Sequence, residues 1–443
     1  MNLAHQTAES AARALAIAAL ALLLAPPLAR LLAHTHGRQR TLAWALLLAP
    51  LLTPALLVSY AYAHLAHQLM ATPGATAALY LAALTLKLVP VAVLVLHFVP
   101  PSLSAEAIRC HALLANSRWE HGLFRLRESG PAPWMAGGLV FLFAFTDFEL
   151  ASLWSLQTWT VALFGAQAGG LALGESLRLA ALPLGIEIAV LVLILRAPAF
   201  STVPTRAGKT PSRSARVALL AYLGGAALLA CGWPLWGVAL QAVTGFRTVT
   251  ENFVLADALA ASLAYAAAGT LGAWLLARVA RTPSSAALAL PGLLGAVLLS
   301  LALLAAFQFP LLHPAYDTPL PLVLALTLLL LPFALPLRWL LDATRRDPAL
   351  HLARMSNSAA LLWQLDTRRR WLAAFLLFCW AYFDFTAGSI LAPVGLTPVF
   401  VRLHNLAHYG QTAVLSAMFL AAFAAPVAVL LLTAPAARWY ARR

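Results

Sequence analysis

The sequence predicts an all-α, polytopic membrane protein of about 11 transmembrane helices, arranged as two parallel, pseudo-symmetric halves. Three observations predict it: a composition that water cannot solvate, an alternation of basic and uncharged loops, and an internal repeat. Hydrophobic residues make up 62% of the 443 and charged residues 10%. Soluble domains carry roughly 25% charged residues, and mean hydropathy here is +0.84. Lipid must solvate much of this chain, and no polar stretch is long enough for a separate soluble domain.

A spanning helix needs about 20 apolar residues. Runs of that length lie at 11–33, 42–66, 76–99, 134–156, 176–198, 215–240, 254–280, 286–308, 319–341, 371–392 and 411–435. The first has no basic segment before it and is followed by P-P-L-A-R, not by a small-residue cleavage site. It reads as a retained helix and not a signal peptide. Prolines fall inside the runs, among them Pro50, Pro54, Pro90, Pro183, Pro291, Pro332 and Pro336. Neighbouring helices in a membrane re-satisfy the carbonyls that a proline frees.

All but five of the 29 Lys and Arg fall in or beside alternate loops; the five are Arg13, Lys87, Arg178, Arg247 and Arg402. The positive-inside rule makes that side cytoplasmic. It places the N-terminus outside and the C-terminus inside. The repeat agrees. Asp147 in F-T-D-F matches Asp384 in F-D-F, Val161 matches Val401, Pro90 matches Pro332 and Pro50 matches Pro291. Separations of about 240 residues hold across these pairs, as in parallel repeats. The boundary is the basic, proline-rich linker 199–214, dividing a first half of about five helices (1–198) from a second of about six (215–443).

Charge confined to short loops argues against nucleic acid as a partner and for membrane lipid. Cys110, Cys231 and Cys379 form neither a disulfide framework nor a zinc spacing. Gly208-Lys209-Thr210 looks like the end of a phosphate-binding loop, but Val203 stands where glycine is required and no strand precedes it. His404 with His408, and His64 with His67, sit at one-turn spacing without a third ligand, so they read as structural. No catalytic constellation, cofactor motif or metal site emerges, and the chain is expected not to be an enzyme.

Two kinds of residue carry the functional reading. The loop from Ser104 to Arg127 mixes apolar and polar residues at helical spacing, with Trp119, Phe124 and four arginines. It suits either a partner surface or the lipid headgroups. Charges inside apolar runs are costly, about 2.5–3.5 kcal/mol at a helix centre. They are Lys87, Asp147, Glu149, Glu187, Asp257 and Asp384. Asp147, Glu149, Asp384 and Thr386 are the candidates for a translocation path. The alternative for the aspartates is that each accepts hydrogen bonds from a helix end or pairs with a base.

The order of cytoplasmic helix, span, D-F, outer loop and T-x-T-V (Thr158 to Val161) resembles the permease subunit of binding-protein-dependent ABC importers. The similarity is to the fused two-half type that serves iron(III) and thiamine. Glu106-Ala107-Ile108 stands for that family's E-A-A, Ser117-Arg118-Trp119 for the small-x-aromatic step, and Gly130-Pro131 lies near its proline. The family's loop glycine is Ala112 here, and the second loop has neither E-A-A nor that glycine. The resemblance implies a type I importer permease fold and import by alternating access. It also implies a cytoplasmic ABC ATPase dimer and a periplasmic solute-binding protein as partners. ATPase-coupling residues would be Glu106, Ala107, Arg109, Ser117, Arg118 and Trp119 in the first loop, and Arg354, Ser358 and Trp363 in the second. Any ATP hydrolysis would belong to the partner. The readings left open are an ion-coupled secondary transporter using the intramembrane carboxylates, and a membrane enzyme or scaffold.

Overall fold

The computed structural model describes the chain except residues 1–2, 70–71, 73, 99–109, 112, 115–116, 118–119, 121–131, 196–211, 250–252, 281–286, 345–347, 357–358, 408–412 and 441–443. The described residues form helices and no strand. Among the described residues, seven helices are long and apolar enough to cross a membrane, and three bent pairs raise the number to as many as ten. Each falls on one of the expected spans. The run 371–392 is the exception, because its helix starts at the three arginines just before it, is only 15 residues long, and is divided from the next by a break at Phe383–Phe385.

Packing divides the chain into two compact units, Met1–Leu163 with Ala181–Pro234, and Phe164–Ala180 with Leu235–Arg443. This division differs from the one at 199–214 that the repeat suggests.

In the first unit α1 (Leu3–His34) buries Ala14, Ala18, Ala21 and Ala25 along one stripe. That small-residue face lets α4 (Ala75–Phe98) and α5 (Ala132–Phe145) pack closely on it, as van der Waals packing in lipid requires. Between α1 and α4, α2 (Gly37–Leu52) and α3 (Ala55–Leu69) make one apolar run bent by 73°. The bend falls at Thr53 and Pro54; proline has no N–H to continue the ladder, and the Thr53 hydroxyl donates to the Ala49 carbonyl at 2.7 Å. After α5 come the short α6 (Glu149–Leu153) and the start of α7 (Trp159–Ala168).

Beyond α8 (Leu173–Leu179), which belongs to the second unit, α9 (Ala181–Leu195) returns to pack on α5. A Cβ on Gly138 would meet Ile194 at 2.9 Å, so α5 and α9 touch where α5 has no side chain. α10 (Arg213–Ala227) packs on α2 and runs into a π turn, Leu228–Gly232. Such a turn frees a carbonyl from the regular ladder, and the Tyr62 hydroxyl donates to that of Leu229 at 2.8 Å.

In the second unit, after α11 (Trp233–Val249), α12 (Phe253–Val279) packs on α15 (Leu320–Thr344) and α18 (Arg368–Tyr382). Gly269 and Gly272 face Leu326 and Thr327 of α15, and the Thr327 hydroxyl donates to the Gly269 carbonyl at 3.4 Å. α13 (Leu290–Leu293) and α14 (Gly295–Phe307) make an apolar run bent by 104°. Gly295 turns it at φ +78°, a conformation that favours glycine. α16 (Pro348–Met355) and α17 (Ala359–Leu362) follow α15. After α18 come α19 (Thr386–Leu391), α20 (Val399–Ala407) and α21 (Ala413–Tyr440). Among its other helices, each unit contains in chain order a long helix, a bent pair, a proline-containing helix, and a helix ending just before the aspartate of D-F.

Candidate functional site

The helix ends at the two D-F sequences are built alike. In the first unit α5 stops at Phe145 and α6 starts at Glu149. Asp147 Oδ2 accepts the Ala151 N–H at 3.3 Å and the Tyr80 hydroxyl of α4 at 3.2 Å. In the second unit α18 stops at Tyr382 and α19 starts at Thr386. Asp384 Oδ2 accepts the Ala387 N–H at 3.0 Å and the Gly388 N–H at 3.2 Å. The first turn of a helix has N–H groups with no helical partner. A carboxylate satisfies them and meets the positive end of the helix dipole. Both aspartates thus hold the helix-end position that the sequence left open beside the translocation-path reading. Glu149 sits half-buried in the first turn of α6, and Thr386 is buried at the start of α19.

The return segments are also tied alike. The Ser10 hydroxyl of α1 accepts the Trp159 N–H at 3.2 Å, and the Ser262 hydroxyl of α12 accepts the Val399 N–H at 2.7 Å. Further bonds fix the first segment: the Trp159 indole donates to the Phe145 carbonyl at 2.7 Å, and Arg13 to the Gln157 carbonyl at 2.8 Å. Thr160 donates to the Asp147 carbonyl at 2.8 Å. In the second, the Tyr265 hydroxyl donates to the Leu396 carbonyl at 3.3 Å. Sequence reasoning missed Ser10, Ser262 and Tyr80. The two serines carried a signal, since each is a small polar residue in an alanine-rich stretch of the long helix that precedes a bent pair.

Beside this region the first unit holds an apolar cavity of about 180 Å³. Tyr62 of α3, Lys87 of α4, Leu150 of α6, Trp154 just after α6, and Leu229 of the π turn line it. A water occupies about 30 Å³ in the liquid, so the space suits a handful of waters or one small solute. Lys87 is its one charged lining residue and lies within electrostatic reach of Asp147. A cation on an apolar wall can hold an anionic or electron-rich group where water is scarce.

The expected coupling residues are placed unevenly. Glu106, Ala107, Arg109, Arg118, Trp119 and Ser358 lie outside the described residues. Ser117 is exposed and its hydroxyl accepts the Glu120 N–H at 3.0 Å; nearby Leu113 and Leu114 are exposed. In the second loop α16 carries Arg354, buries Leu350 and Ala353, and leaves Leu352 and Met355 exposed. Trp363 opens a π turn (Trp363–Thr367) and packs on Trp371, ring centroids 6.1 Å apart. That turn is pinned by ion pairs running from Arg338 through Asp342 and Arg370 to Asp366, at 3.2, 3.6 and 2.7 Å.

His404 packs its ring on Phe385 at 4.2 Å, while His408 lies outside the described residues. No cluster of three metal-ligating side chains occurs among the described residues. Compared with protein-family models, curated proteins and solved structures, the chain matches none.

Proposed function

We propose that the chain is the membrane-spanning permease subunit of an ATP-driven importer, with two pseudo-symmetric halves, 11 spans, an outer N-terminus and a cytoplasmic C-terminus. One observation carries the reading. The same helix-end aspartate cap and the same serine-to-backbone tie recur at matched places in the two units, as a duplicated permease would have. An amphipathic, part-exposed helix, α16, precedes the second of these motifs and offers apolar side chains to a partner. The partners are a cytoplasmic ABC ATPase dimer and a periplasmic solute-binding protein, and the membrane is a bacterial inner membrane.

The caps weigh against ion coupling through Asp147 and Asp384, because both carboxylates are engaged with backbone N–H groups. Iron(III) and thiamine remain the solutes that the resemblance suggests. The Lys87 ammonium favours an anionic group at the cavity over a bare cation. The test is purification of the tagged chain from its own membranes, with uptake measured in inverted and right-side-out vesicles. A co-purifying ATPase and ATP-dependent import are expected. Absence of any ATPase, with uptake unchanged by alanine at Glu106, Arg118 and Trp119, refutes the reading.

A further inference from the structure

Glu187 lies in the middle of α9, flanked on that helix by Ile186 and Ile188, with no other titratable residue from Ala181 to Leu195. It is 0% exposed, and among the described residues neither carboxyl oxygen has a hydrogen-bond partner. In this unit α9 packs on α5 and α1. α5 has no titratable side chain. On α1 the titratable residues are His5, Glu9, Arg13, Arg30 and His34. Glu9 pairs with Arg13 at 2.8 Å and with His5 at 3.7 Å; Arg30 and His34 bond backbone carbonyls one turn back. A carboxylate sealed in protein with no donor and no counter-charge is far costlier than the neutral acid. A metal cation would need several oxygen ligands, and no cluster of three ligating side chains is present among the described residues.

We propose that Glu187 is a proton-binding site inside the membrane, loaded in this packing of α9 and discharged when α9 parts from α5 and admits water. Asp147 and Asp384 differ, since backbone N–H groups stabilise their charge. Glu187 binds its proton whether or not an ATPase drives the chain, so this test and that of the transport reading fail separately.

The full-length protein in membrane vesicles is treated with dicyclohexylcarbodiimide, which dissolves in lipid. The carboxyl proton passes to a reagent nitrogen and the carboxylate oxygen bonds to the central carbon, so the whole reagent is added. Peptide mass spectrometry is expected to find the adduct on Glu187 and to lose it in Glu187→Gln. Labelling of Asp147 or Asp384 without Glu187 overturns the proposal. If nothing is labelled, infrared spectroscopy decides. A protonated-carboxyl band that vanishes in Glu187→Gln upholds the site, and no such band overturns it. Glu187→Gln, isosteric with the neutral acid, is expected to melt with the wild type, whereas marked destabilisation points to a lost charge partner and overturns the site.

Discussion

Asp147 and Asp384 show how one residue type closes a helix break inside an apolar segment. Truncating a capping side chain costs about 0.5–2 kcal/mol, and leaving a buried hydroxyl without its acceptor adds about 1–3 kcal/mol. Asp147→Ala removes a cap and also strands the Tyr80 hydroxyl, so a loss of about 2 kcal/mol is expected in thermal unfolding of the purified protein. Asp147→Asn and Asp384→Asn keep an acceptor at the helix end and are expected to lose under about 1 kcal/mol. Equal melting of the alanine and asparagine variants would show that the caps contribute nothing. The aspartates were legible in the sequence because F-T-D-F and F-D-F repeat. Their role was not, because Tyr80 joins Asp147 from another helix, 67 residues earlier.

At the scale of elements, closeness of backbones decides where substitutions are tolerated. A Cβ on Gly292 of α13 would run into the Leu328 carbonyl of α15, and one on Gly245 of α11 into the Ala413 carbonyl of α21. Overpacking against backbone costs about 1–3 kcal/mol; Gly292→Ala and Gly245→Ala are expected to melt lower by that amount. Gly237 of α11 has open space around it. Gly237→Ala is therefore expected to be neutral or to stabilise by up to about 1 kcal/mol through helix propensity. All three are read by the same unfolding assay. α16 is tested differently, because its Leu352 is 64% exposed. On the docking reading, Leu352→Asp leaves the melting temperature unchanged and lowers the ATPase recovered with the protein. Glycines stand out in a sequence, but which of them meets a carbonyl depends on a helix far along the chain.

At the scale of the molecule the open property is orientation. With Cys231 and Cys379 replaced by alanine, Cys110 is expected to react with a membrane-impermeant maleimide in inverted vesicles and not in right-side-out ones. A Leu311→Cys variant, at an 89% exposed position between the bent pair and α15, is expected to show the reverse pattern once Cys110 is serine. The opposite result for both would invert the topology. Unit boundaries also belong to this scale. The repeat in the sequence divides the chain at 199–214, whereas packing gives 181–234 to the first unit and 164–180 to the second. Repeats record which segments resemble each other, and compact units record which segments bury each other, so the two need not coincide.

By itself the sequence determined the membrane class and where most of its long apolar segments lie. Lipid imposes length and apolarity on each segment separately, so those properties are local and readable from the chain. Only the tertiary structure decided the bends at Thr53–Pro54 and at Gly295, the capped aspartates, the cavity beside Lys87 and the isolation of Glu187. Each of these depends on which helix supplies a donor, a carbonyl or a wall from a distant part of the chain, and hydropathy carries no information about that choice.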